Sequence, residues 1–402
     1  MNTNNKRKIV FLFHTPIPKS YLSLFKISDF LNLGYNIELI DTSYFSNRPA
    51  YNNTVTGLIN YEEKYVHRVY TNIELFKLLD EYYDAVIIVT FDCLVEFFQL
   101  FRYLSKNRRD YGYLILGTSY QTASFMTTRK RISSFLYGLS FKRIANGLYR
   151  RLPRKKLGIK ACDFIICNSP DEEADFRKRL VCDEHTTYKT IHSNFYEEAL
   201  ENKGKQRIVP EKYCVWLDFY APYHPDVELI SGKNRIDPAK YYNSLKQFFC
   251  WIEKYSGYKV VIAAHPRSDY EKHPESYNGF RIEKFKTSLL VRDAEFIMTS
   301  ASTSFLYGVM YLKPIIFIIQ DELYKLPKNI TYCENTSKKL NKETINIDHI
   351  KEDEVSDILI EQMRIDNNCY IKSANSYIKV GFDGDIAGRS HIYDIIDFLE
   401  SL

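Results

Sequence analysis

The chain of 402 residues has no C-x-x-C pair, no internal repeat and no low-complexity tract. It also has no uninterrupted apolar run approaching the roughly 20 residues that a bilayer crossing needs, which argues against integral membrane insertion. Its eight cysteines (93, 162, 167, 182, 214, 250, 333, 369) are scattered, and several sit inside apolar runs. They read as reduced core thiols of a cytosolic protein, not as a disulfide framework. No His, Cys or Asp cluster has ligand spacing and no Asp-x-Asp sits at a plausible strand end, so chemistry without a metal is expected. A net charge of +5 is too small an excess to argue for nucleic acid, and no aromatic RNP sequence is present. The start, MNTNNKRKIVFLFHTPIPKS, is basic, but its apolar run stops at His14 and Pro16. It reads as a first strand and not as a signal peptide.

What remains is an ordinary folded composition, 45% hydrophobic and 26% charged, with 33 Tyr and 26 Phe standing out. Amphipathic rings suit sugars, lipids or interfaces. An AT-rich genome would enrich Tyr, Phe, Asn, Lys and Ile together, and both explanations stay open. The length exceeds what one core organises, so two domains with a cleft between them are expected.

Short apolar strands alternate with helical stretches through the first half: KIVFLFH, a helix over 22–33, NIELIDTS, a helix near 73–81, DAVIIVTFD, a helix over 96–104, then YGYLILGTS. That alternation predicts a parallel sheet and an α/β fold of two Rossmann-like, doubly wound domains. The expected division is a first domain over 1–200, a polar linker over 201–212 (ENKGKQRIVPEK), a second domain over 213–385, and an amphipathic helix over 386–402 that packs back across the linker. Strands are expected at 213–217, 259–264, 295–299 and 314–319, with a helix over 238–256.

Two of these strands end in polar residues suited to an anion. KVVIAA runs into His265, Pro266 and Arg267, where an imidazole donor and a guanidinium can meet a phosphate. A strand cap for His265 and a surface ion pair for Arg267 are the plain alternatives. After 295–299 come Ser300, Ser302, Thr303 and Ser304, a hydroxyl-rich loop feeding a helix whose free amides are expected to hold a phosphate. An ordinary N-cap needs only one of these hydroxyls. Thr287 precedes another helix and is either a nucleotide contact or a plain N-cap. A third loop supplies Asp218, His224 and Asp226 as acid, base or sugar-hydroxyl partners, unless Pro and Asp simply build a turn there. For a base in the first half, strand ends offer His14, Asp92 and Asp171, with Asp92 the best placed and a helix N-cap its alternative.

The His-Pro turn, the spacing to the Ser/Thr cluster and the Lys313-Pro314 before an apolar strand resemble bacterial sialyltransferases, Kdo transferases and teichoic-acid glycerophosphotransferases. The stretch Ala161 to Ser169 looks like the last strand of the N-terminal domain in that architecture. The resemblance implies a glycosyltransferase B scaffold, a cytidine-nucleotide donor and no cofactor beyond it. His265 would aid departure of the nucleotide, and Ser302, Thr303 and Ser304 would hold its phosphate. The donor implied is a CMP-linked 2-keto sugar acid, Kdo or a nonulosonic acid, used in bacterial surface polysaccharide synthesis. The acidic Asp/Glu-Asp/Glu-Gly motif of some sialyltransferases is absent from the first half, so sialyl transfer has no separate support. Transfer of a polyol phosphate from a CDP-linked donor, nucleotide-sugar epimerisation and a non-catalytic scaffold at a lipid surface are the alternatives.

Residues 128–160 are rich in Lys and Arg, contain no Asp or Glu, and interleave apolar side chains. Arg129, Lys130, Arg131, Lys142, Arg143, Arg150 and Arg151 are expected to face an anionic inner-membrane surface and a glycan or lipid-linked glycan acceptor, giving a cytoplasmic, membrane-peripheral enzyme. A solvated helix face and a nucleic-acid patch are the competing readings.

Overall fold

The structure, a computed structural model, describes residues 7–52, 58–116, 141–170, 176–177, 179–224 and 235–402; side chains in the helix Phe141–Arg151 are described from Ala145 onward. The chain forms two compact units, one ending at Asn194 and regaining the chain from Arg389, the other running from Phe195 to Gly388.

In the first unit seven strands form one sheet: β1 (Ile9–Phe13), β2 (Ile37–Asp41), β3 (Val66–Arg68), β4 (Val86–Val89), β5 (Tyr111–Ile115), β6 (Phe164–Cys167) and β7 (Thr187–Thr190). Their order is β3-β2-β1-β4-β5-β6-β7, and every pair is parallel. Parallel sheets are covered on both faces, which is why the central strands read as unbroken apolar runs. In β4, Ile87 and Val89 enter the core on one face while Val86 and Ile88 enter the core on the other. The final helix, His391–Ser401, belongs to this unit: Ile392, Ile395, Ile396 and Leu399 join the second of those cores, and Phe398 meets the Phe164 ring edge-on at 5.9 Å.

The second unit repeats the topology with six strands: β8 (Tyr213–Leu217), β9 (Lys259–Ala264), β10 (Arg281–Lys284), β11 (Ile297–Thr299), β12 (Ile315–Ile319) and β13 (Thr344–Asn346), ordered β10-β9-β8-β11-β12-β13 and again all parallel. The chain order reverses between β8 and β11. At such a switch point an open α/β sheet leaves a crevice outside the carboxyl ends of its strands.

The unit boundary falls at 194/195 and not at the expected linker 201–212. The polar stretch carries Ile208 and Val209, which pack into the second unit's core. Arg207 also donates to the carbonyls of Val209 and Glu211, at 2.6 Å each. The stretch Ala161 to Ser169 is followed by one more strand, β7, so it is the penultimate and not the last strand of its sheet.

The short helix Phe305–Met310 is entirely buried against this sheet. A Cβ at Gly308 would lie 2.4 Å from Ile297 Cδ1 and 3.0 Å from Ile315 Cδ1, so only glycine lets the helix come this close to β11 and β12. Gly308→Ala is expected to cost about 1–3 kcal/mol by overpacking, read as a lower urea midpoint with unchanged slope.

Candidate functional site

Asp218 immediately follows β8 and is wholly buried. Its Oδ1 accepts from the Tyr220 amide at 2.9 Å and the Tyr277 hydroxyl at 3.0 Å. Its Oδ2 accepts from the Tyr270 hydroxyl at 2.6 Å and the His265 amide at 3.3 Å. Burial pushes this carboxyl above its ordinary range, while Tyr270, the Tyr220 and His265 amides and Tyr277 pull it back down. Tyr277 in turn accepts from Trp216 Nε1 at 2.8 Å. With both oxygens occupied, Asp218 serves to position the loops after β8 and β9 rather than to exchange protons with a substrate.

His265 is held at both ends of that turn. Its Nδ1 accepts from the Arg267 amide at 3.2 Å, which leaves Nε2 to carry the proton of the neutral ring as a donor. The His224 ring is buried between Phe219, at 5.3 Å, and His265, at 4.8 Å. His224 thus buttresses the imidazole from behind. Asp226 lies outside the described residues.

A cavity of about 390 Å³ opens where β8, β9 and β11 end. It collects Asp218, His265, Pro266, Thr287, Ser302 and Ser304 from four separate segments. Thr287 is the first residue of the helix Thr287–Asp293, one position inside the N-cap residue Lys286. Ser300 is buried, with the Cys333 thiol as a neighbour. Neither it nor Thr303 nor the exposed Arg267 lines the cavity, and Arg267 enters the turn through its backbone amide.

The helix after the hydroxyl loop does not offer the free amides expected of it. It has only six residues, and the amides of Phe305, Leu306 and Tyr307 already donate to the carbonyls of Ser302, Thr303 and Ser304, while the Ser304 amide donates to Ser302 Oγ at 3.3 Å. An anion here would be met by hydroxyls, not by a helix end.

Sequence reading missed other walls: Glu198 at the end of the expected first domain, Glu201 and Lys205 in the expected linker, and Phe285 and Tyr307. Tyr307 donates its hydroxyl to Glu198, and Lys205 Nζ donates to Asn202 Oδ1 at 2.9 Å. Phe285 is highly exposed and has φ +62°, a left-handed conformation that a bulky residue adopts only at a cost. Nothing in the sequence signals that backbone strain.

In the first unit Asp92 is neither a helix cap nor an available base. It accepts from Arg150 at 3.0 Å and Arg179 at 3.1 Å, one guanidinium on each oxygen, and the nearby 3₁₀ turn starts only at Val95. Arg150 is exposed and carries this ion pair at the surface. His14, at the carboxyl end of β1, rests beside the rings of Phe91 at 5.3 Å and Phe97 at 6.1 Å. Arg151 is exposed at the end of the helix Phe141–Arg151; Lys142 and Arg143 lie in that helix, and Arg129, Lys130, Arg131 and Asp171 fall outside the described residues.

Asp218→Asn places amide hydrogens against fixed donors, so a loss of about 3 kcal/mol is expected in chemical unfolding, with His265 no longer tethered. His224→Phe keeps the ring contact and is expected to cost much less.

No family model matches the chain, and no curated protein does. Among solved structures it is similar to CalG4, a calicheamicin glycosyltransferase, at 11% identity over 98% of each chain with a TM-score of 0.50. It is also similar to Acinetobacter baumannii MurG, at 6% identity over 98% and 100% of the two chains with a TM-score of 0.48. The UDP-GlcNAc 2-epimerase of Methanocaldococcus jannaschii matches at 11% identity, over 98% and 99%, with a TM-score of 0.48. What the CalG4 likeness carries is the fold: two Rossmann-like, doubly wound domains of the glycosyltransferase B architecture.

Proposed function

We propose that the chain is an inverting, metal-independent glycosyltransferase that moves a CMP-linked 2-keto sugar acid, Kdo or a nonulosonic acid, onto a glycan or lipid-linked glycan of a bacterial surface polysaccharide. One observation carries the reading. Side chains from four segments, His265 and the Ser302 and Ser304 residues foremost, line a single cavity at the switch point of the second unit's sheet. Open α/β sheets bind nucleotides at such points. The cytidine and the sugar acid come from the resemblance of the His-Pro turn and the hydroxyl loop to CMP-using transferases.

In this reaction the acceptor hydroxyl attacks the anomeric carbon, the bond from that carbon to the phosphate oxygen breaks, and CMP leaves with the electron pair. His265 Nε2–H and the hydroxyls of Ser302 and Ser304 meet the charge that grows on the departing phosphate. Lys205 lines the same cavity and contributes a cation. The acceptor's proton goes to a general base, which the resemblance seeks among the strand ends of the first unit; there Asp92 has both oxygens held by two arginines, and His14 is the candidate to test. Among the described residues no helix is long and apolar enough to cross a membrane. The enzyme is placed at the cytoplasmic face by the basic segment 128–160, peripheral to an anionic bilayer.

Thermal unfolding with CMP, CDP, UDP and GDP tests the donor. CMP at 100 times its Kd is expected to add about 2.7 kcal/mol, and neither His265→Ala nor Ser302→Ala/Ser304→Ala is expected to respond fully. A larger response to UDP or GDP overturns the cytidine assignment, and a new phosphodiester among the products replaces sugar transfer with polyol-phosphate transfer. His14→Ala is expected to lower kcat by roughly 10²–10⁴-fold with CMP stabilisation unchanged.

A further inference from the structure

The first unit holds its own cavity, of about 300 Å³, lined by Arg150, Arg154, Lys155 and Arg177 and, as the one acid among the described residues, by Asp183. Two of the cations are already matched: Lys155 lies 3.3 Å from Asp183, and Arg150 lies 3.0 Å from Asp92. Arg154 is placed differently. Its guanidinium stacks over the Tyr149 ring at 3.9 Å and donates to the Tyr149 carbonyl at 2.6 Å, and among the described residues no carboxylate pairs with it. Stacking fixes the plane of the fork before any ligand arrives, and a fixed guanidinium fork suits a phosphate.

Two exposed apolar side chains belong to the same stretch of chain. Leu148, one residue before Tyr149, is 59% exposed, and Leu152, two residues before Arg154, is 49% exposed. A site for a free phosphate gains nothing from exposed leucines, whereas an anionic surface with hydrocarbon just beneath it rewards both features. We propose that this cavity takes the phosphate of an anionic lipid headgroup, with Leu148 and Leu152 entering the acyl boundary. The inference rests on the membrane-facing reading of segment 128–160 and deepens it into one defined phosphate site.

Co-sedimentation with vesicles of phosphatidylglycerol and phosphatidylcholine, against phosphatidylcholine alone, tests the proposal. Calorimetry with inorganic pyrophosphate and glycerol 3-phosphate runs beside it. Removing a cation is expected to weaken binding to the anionic vesicles about fivefold, so roughly 25-fold for Arg154→Gln/Lys155→Gln. Lys155→Gln alone, at a largely exposed side chain, guards against a folding defect and is expected to show the single fivefold step. Leu148→Ser/Leu152→Ser is expected to weaken vesicle binding while leaving the calorimetric response to the soluble phosphates intact. The thermal response to CMP stays that of the wild type in all variants. Undiminished vesicle binding by the Arg154/Lys155 variant overturns the cavity and leaves the membrane-facing reading standing. No vesicle binding by the wild type overturns both, and saturable binding of the soluble phosphates without vesicle affinity overturns the lipid source.

Discussion

The buried carboxylate of Asp218 is the constraint on which the ligand side of the second unit depends. A carboxylate taken out of water persists only where donors surround it, and here four do so from the segments that follow β8 and β9. Trp216 extends the network into the sheet through Tyr277. The turn carrying His265 is consequently tied to β8 by its own amide, while Nδ1 is fixed by the Arg267 amide. What reaches the cavity is an imidazole whose position and tautomer are both set by backbone groups.

Close packing sets the opposite wall. Gly308 allows a one-and-a-half-turn helix to lie on β11 and β12, and this brings Ser302 and Ser304 to the end of β11. The same short helix spends its first amides on the loop that precedes it. Hydroxyls, the imidazole and Lys205 are therefore left to donate to an anion in the cavity, and Phe285 adds an exposed ring in a strained backbone conformation at its margin.

Legibility in the sequence followed burial. Strands sheathed on both faces, β1, β4, β8, β9 and β12, announce themselves as apolar runs. The four strands with no apolar signal, β3, β7, β10 and β13, are the edges of the two sheets. Each is three or four residues long and mostly half-buried or exposed, so neither length nor periodicity sets it apart from a loop. The helix expected over 22–33 is split in two at Lys26, whose φ of +54° no periodicity foretells.

The candidate site divides along the same line. His265, Thr287, Ser302 and Ser304 were legible because each follows a strand or opens a helix that its own neighbours specify, and strand ends at a switch point converge whatever the loops contain. By itself the sequence determined two doubly wound sheets and the polar residues at their strand ends, since local hydrophobic patterning suffices for both. Tertiary structure alone decided which of those residues have chemistry to spare. Asp92 is taken by arginines 58 and 87 positions away, and Asp218 by tyrosines 52 and 59 positions away. The final helix joins the first unit's core through contacts with residues that lie hundreds of positions earlier in the chain. Partners so distant are chosen by strand order and packing, which no local pattern encodes.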